Sequence, residues 1–163
     1  MVDFVATLAY QKGVLPLVHV TQRANLKSIL DHGLQSPTGA GALGARATFD
    51  IGGSRGDVMQ LFDLNADYPQ YLTRLPESLV AEGERAGVPV HHLVVLAIDG
   101  ELRSRPGFMP HRVVREHCQR ENLRYFAGLE AWWSGDVTSG MITQVEPFTW
   151  LRALAIRHAG ETG

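Results

Sequence analysis

A histidine and a threonine two residues apart, His19 and Thr21, are the side chains of this chain best placed to act together. They end an apolar run at 14–20 that predicts a short strand. Side chains at alternating strand positions share a face, so the imidazole and the hydroxyl are expected to lie side by side at the strand's end. Both groups can hydrogen-bond a polar ligand, and the pattern therefore predicts a cleft at this point.

A second pair, Gln144 and Glu146, shows the same alternation in a strand predicted over 140–146. A carboxylate can stabilise positive charge that develops as a bond breaks, and it can act as a base. Glu130 is the rival carboxylate, because its neighbours Trp132 and Trp133 are core or groove aromatics and an apolar setting makes a carboxyl group easier to protonate. We rank Glu146 first because Gln144 shares its face and a strand is predicted after it. The alternative is that Gln144 and Glu146 are exposed residues of a surface turn.

The elements that must position these residues are predicted from periodicity and from helix-ending signals. Leu26, Ile29 and Leu30 form one apolar stripe of a helix from 23 to 32, with Thr21 as its N-cap and Gly33 as its stop. The further predicted elements are helices starting at 58 and covering 76–86 and 110–120, strands at 91–98, 140–146 and 151–157, and a helix or buried loop at 123–133. This order indicates an α+β fold.

Length and composition indicate one globular domain over 1–163, with an apolar share of 45% and a charged share of 20%. The single cysteine, Cys118, suits a reducing compartment, and no signal peptide or membrane span is expected, so we predict a cytoplasmic protein. Adjacent His91 and His92 would face opposite sides of a strand, and no metal is expected.

The net charge of −2 excludes a protein that coats duplex nucleic acid, so any such contact must be local. The best local patch combines six arginines with two histidines, and it is either a solvated helix face or a phosphate-binding surface. Its members are Arg103, Arg105, His111, Arg112, Arg115, His117, Arg120 and Arg124.

The run from His19 to Leu34 resembles the opening of the ADP-ribosyltransferase superfamily, most closely the DarT-type enzymes that modify DNA. The similarity lies in His-x-Thr followed by Asn25-Leu26, Ile29-Leu30 and Gly33-Leu34. It implies an ADP-ribosyltransferase-like fold, with split central sheets and flanking helices around a cleft for NAD. His19, Thr21 and Asn25 would then contact NAD, and Gln144 would assist them.

The same resemblance implies a catalytic glutamate late in the chain, here Glu146, and an arginine for the NAD phosphates. Arg46 and Arg55 are the candidates for the phosphate contact, and Ser54-Arg55-Gly56 resembles the family's arginine segment more closely. The middle region is shorter than in the family, and the spacing after Glu146 is compressed.

Three functions follow as hypotheses. The first is a mono-ADP-ribosyltransferase that uses NAD as donor and modifies a base in single-stranded DNA or RNA, stacked on Trp132 or Trp133, with a cognate antitoxin as partner. The second is an RNA 2′-phosphotransferase-like NAD enzyme, which a near-neutral chain fits less well. The third is a catalytically inactive domain that binds a nucleotide or a partner.

Overall fold

The computed structural model describes residues 15–35, 58–64 and 69–162. Arg46 and Arg55 therefore lie outside the described residues. Within the described residues, six strands and four α-helices follow one another along the chain. In order they are β1 (Leu17–Gln22), α1 (Leu26–His32), β2 (Met59–Asp63), α2 (Pro69–Ala86), β3 (Leu93–Ile98), β4 (Phe108–Met109), α3 (His111–Glu121), β5 (Glu130–Trp133), β6 (Ile142–Pro147) and α4 (Phe148–Thr162).

The strands form one antiparallel sheet in the order β4-β5-β2-β1-β3-β6. The central strand β1 pairs with β3 along all six of its residues. Its pairing with β2 covers only Leu17 and Val18. The sheet thus consists of two halves that are joined at one end and separate towards the other.

Helices α2, α3 and α4 cover one face of the sheet, which we call the helix face. Apolar residues of β1, β2 and β3 pack there against an apolar stripe of α2 formed by Leu72, Leu75 and Leu79. The opposite face, which we call the α1 face, packs Leu17, Leu61 and Leu96 against α1. Because both faces are covered, β3 is buried at every position.

The predicted α+β class is confirmed, and so are the helices near 23–32 and 110–120 and the strands near 14–20 and 91–98. A 3-10 turn at Arg23–Asn25 precedes α1, and Gly33 ends that helix with a φ of +78°. The helix predicted over 76–86 begins seven residues earlier, at Pro69.

Two predicted elements are wrong in type. Residues 59–63 form β2 and not the start of a helix, because they fill the space between β1 and β5. Residues 151–157 belong to α4 and not to a closing strand. Phe148, Leu151 and Leu154 are buried at intervals of three, which is the spacing of a helix face.

Two further expectations need refinement. Thr21 does not cap α1, because it lies within β1 and its hydroxyl accepts a hydrogen bond from the Asn25 side chain at 3.1 Å. The segment 123–133 is partly irregular and ends in strand β5. Among the residues that the structure describes, none of the helices combines the length and the apolar character that a bilayer span requires.

Replacing Gly33 by alanine is expected to lower the free energy of unfolding by about 2–4 kcal/mol. The added Cβ would lie 2.6 Å from the Val137 carbonyl oxygen, at a residue that already has a positive φ. Gly87 is the matched control, since its φ is +73° but no atom lies within 4 Å of an added Cβ. Urea denaturation should give a loss of only about 1 kcal/mol for Gly87→Ala, and equal losses would contradict the close contact.

Candidate functional site

The two halves of the sheet separate immediately after Val18, which is the last residue of β1 that pairs with β2. The next residue, His19, places its ring against the neighbouring strand. Its Nδ1 lies 2.8 Å from the Gln60 carbonyl oxygen. A side chain therefore bridges the two strands where their backbone ladder has ended.

This contact fixes the tautomer of His19. A carbonyl oxygen can only accept, so Nδ1 carries the proton and Nε2 is left as an acceptor. Burial lowers the pKa of His19 below its usual value of 6.5, and the bond to Gln60 offsets this only in part. The imidazole is neutral at pH 7, and Nε2 makes no hydrogen bond within the described part of the chain.

Thr21 and Asn25 are joined to the same site by the turn that follows β1. The Asn25 Nδ2 donates to the Thr21 Oγ1 at 3.1 Å, and both side chains are buried. Thr21 shares the α1 face with His19 because the two alternate along β1. The structure thus brings together His19, Thr21 and Asn25, which are three of the residues that the resemblance placed in one cleft.

Gln144 and Glu146 are not brought to that cleft. They lie on the edge strand β6, where Gln144 pairs with Ala97 and Glu146 with Val95. Val95 also pairs with Val20 of β1. Leu96 pairs with His19 on one side and with Val145 on the other. Residues directly opposite one another point to the same face, so Gln144 and Glu146 share the helix face and His19 does not.

The rival carboxylate, Glu130, is also on the helix face, since it pairs with Phe62 of β2. Its side chain is fully buried. Oε1 accepts from the Phe126 backbone N–H at 2.9 Å, and Oε2 accepts from the Trp132 indole N–H at 2.6 Å. In this arrangement Glu130 holds protein groups and does not face a ligand.

The expectation that a base stacks on Trp132 or Trp133 is wrong for this structure. The two side chains are 3% and 8% exposed and belong to the core. Trp133 packs on the α1 face, and Trp132 packs beneath α3 with Val114 and Cys118. Neither ring offers a free face of the size that base stacking needs.

Three arginines of the predicted basic patch are paired with carboxylates. Arg103 is engaged by Asp63 through both its Nε and Nη2 atoms, the shortest contact being 2.7 Å. Arg105 pairs with Glu101 and Arg124 with Glu82. Sequence reasoning also missed that His111 is a structural anchor, because its Nδ1 donates to the Glu130 carbonyl oxygen and its Nε2 accepts from the Gly128 N–H.

Comparison with known protein families matches none of them to this chain, and a search of curated proteins returns no significant relative.

Replacing Glu130 by glutamine is expected to lower the free energy of unfolding by about 1–3 kcal/mol. A glutamine has one acceptor oxygen, so its NH₂ group would face either the Phe126 N–H or the Trp132 indole N–H, both of which are donors. Glu146→Gln on the edge strand is the matched control and should change stability little. Chemical denaturation of both variants tests this, and equal stabilities would show that the two bonds to Glu130 contribute nothing.

The lowered pKa of His19 predicts a pH dependence of stability. The pKa of a histidine in the unfolded chain is near 6.5, and the pKa of folded His19 is lower. The folded state therefore binds a proton less readily, so its stability is full above pH 6.5 and is lost as the pH falls through the folded pKa. His111 has a lowered pKa as well and contributes in the same direction. His19→Asn keeps a donor near the Nδ1 position without titrating, and its unfolding free energy should fall less between pH 7 and pH 5 than that of the wild type; parallel curves would contradict the assignment.

Proposed function

We propose that this chain is an NAD-dependent mono-ADP-ribosyltransferase with an ADP-ribosyltransferase-like fold. One observation carries the proposal: His19, Thr21 and Asn25 meet where the two halves of the sheet separate. These are three of the residues that the sequence resemblance assigns to NAD, and a divided sheet is the architecture that it implies.

The cleft residues suit a ligand that carries hydroxyl and amide groups. The neutral His19 ring presents Nε2 as an acceptor, which a ribose hydroxyl can satisfy by donating. Thr21 and Asn25, which are buried and hydrogen-bonded to each other, place a hydroxyl and a carboxamide beside the same strand. Nicotinamide riboside carries hydroxyl and amide groups, which suit a polar site of this composition.

The reaction breaks the bond between the ribose C1′ and the nicotinamide nitrogen, and nicotinamide leaves with the bonding electrons. The acceptor's nucleophile then bonds to C1′ and loses its proton to a base. A carboxylate stabilises the positive charge on the ribose and can serve as that base. Glu130 is fully buried and engaged by the N–H groups of Phe126 and Trp132, so the role is proposed for Glu146, the residue that the resemblance names. The place of Glu146 on the helix face, opposite His19, does not support this assignment, and the Glu146 variant tests it.

The proposed acceptor is a base in single-stranded DNA or RNA, as the resemblance to DarT-type enzymes implies. An unpaired base can enter a cleft without the unpairing and unstacking that a duplex demands. A cognate antitoxin that removes the ADP-ribose or blocks the cleft belongs to the same proposal.

We expect the protein to release nicotinamide from NAD and to add one ADP-ribose to an oligonucleotide from a mixed single-stranded DNA and RNA pool. Replacing Glu146 by glutamine should lower the rate by roughly 100-fold or more. His19→Asn, which keeps the contact to Gln60 but loses Nε2, should weaken NAD binding about tenfold. Intact-mass analysis of the oligonucleotides and chromatography of nicotinamide give the readouts.

Glu84→Gln, an exposed change on α2, is the matched control and should keep full activity. Full activity in Glu146→Gln would overturn the assignment of the carboxylate. NAD that stays intact and unbound would overturn the proposal as a whole. Nicotinamide release that needs a 2′-phosphorylated RNA would instead indicate the phosphotransferase reaction.

A further inference from the structure

A cleft lies on the helix face, between α2 and the segment 124–129 that leads into β5. It has a volume of about 380 Å³, and we call it the α2 cleft. Its polar and aromatic lining comes from both walls: Tyr71, Arg74 and Ser78 from α2, and Arg124, Tyr125 and Phe126 from the segment. The two walls lie about fifty positions apart in the chain, so no local sequence motif predicts the site.

Two polar side chains, one half-buried and one buried, hold the segment that forms one wall of the cleft. His111 accepts a hydrogen bond from the Gly128 N–H at 3.0 Å, and the carboxylate of Glu130 accepts one from the Phe126 N–H at 2.9 Å. A buried carboxylate is costly unless it is hydrogen-bonded. Here both of its oxygens are engaged, and one of these bonds fixes a surface segment that carries Arg124 and Tyr125.

The aromatic side chains of the α2 cleft are positioned by close packing. Gly128 has a φ of +83°, and a Cβ at this residue would lie 2.2 Å from ring atoms of Tyr71. The absence of a side chain at Gly128 is therefore what lets the Tyr71 ring approach the segment. Across the cleft, the Tyr125 hydroxyl accepts from the Gln119 Nε2 at 3.3 Å, which ties this ring to α3.

The charges of the α2 cleft favour an anion. Arg124 pairs with Glu82, and Glu82 is shared with Arg85, which stands outside the cleft. Arg74 is exposed and makes no ion pair within the described residues. Two guanidinium groups thus face one carboxylate in the lining, and Arg74 can bind a further anionic group.

We propose that the α2 cleft binds a nucleoside phosphate, either free or within a single strand of nucleic acid. The phosphate would be held by Arg74 and Arg124, and the base would pack against Tyr71 or Tyr125. Arginine forks match the geometry of phosphate oxygens, and tyrosine rings accept any base by stacking. The site lies on the face opposite to His19, so it stands independently of the proposed NAD cleft.

The test is a titration of the full chain with a fluorescent single-stranded oligodeoxynucleotide and, separately, with a nucleoside monophosphate, both without NAD. Arg74→Gln and Arg124→Gln should each weaken binding about tenfold. Arg85→Gln is the matched control, because it removes the other partner of Glu82 but does not line the cleft, and its affinity should match that of the wild type. For the oligonucleotide, each lost phosphate contact should also reduce the salt slope by about 0.7.

The two probes separate the two sources of the ligand. Tight binding of the oligonucleotide with weak binding of the monophosphate would identify a strand site, and comparable binding per site would identify a free nucleotide. Failure of both probes to bind the wild type, or equal losses for Arg85→Gln and Arg124→Gln, would overturn the proposal. Neither result depends on NAD turnover, so this titration and the test of the proposed transferase activity can fail independently.

Discussion

The unequal pairing of β1 with its two neighbours is the constraint on which the remaining structure depends. A strand that pairs fully on one side and over two residues on the other cannot keep both neighbours in one continuous ladder. The sheet must open, and the groups exposed by the opening need other partners because buried polar groups are costly when unpaired. His19 supplies one such partner by donating to the Gln60 carbonyl. His19 thus satisfies a carbonyl group that the opening leaves unpaired, and its Nε2 is a hydrogen-bond acceptor at the same point.

The register of the outer strands then decides which polar residues reach which face. Every strand of the sheet alternates its side chains, so a shift of one residue moves a side chain to the opposite face. The pairing of Leu96 with Val145 keeps Glu146 on the helix face, and the pairing of Phe62 with Glu130 does the same for the second carboxylate. The helix face consequently holds these two carboxylates, whereas the α1 face holds the imidazole and the buried Thr21–Asn25 pair.

The sequence predicted well wherever local chemistry and tertiary packing agree. The six residues of β3 are β-branched or apolar throughout and form a strand buried on both faces. The stripe of α1 and the glycine at its end give a helix with the predicted stop. The prediction from the sequence failed for β2 and α4, because their short apolar runs fit the periodicity of a strand as well as that of a helix. The type of these segments is decided by neighbours distant in sequence, since β2 completes the ladder between β1 and β5.

The sequence by itself determined that His19 and Thr21 share one side of a strand and that Asn25 follows them within one turn, because strand alternation and turn geometry are local properties. It also determined the α+β class. Only the tertiary structure decided that Gln144 and Glu146 lie on the other face, and that Tyr71 and Arg124 line one cleft. Register between strands and the approach of distant segments arise from long-range pairing, and no local pattern encodes them.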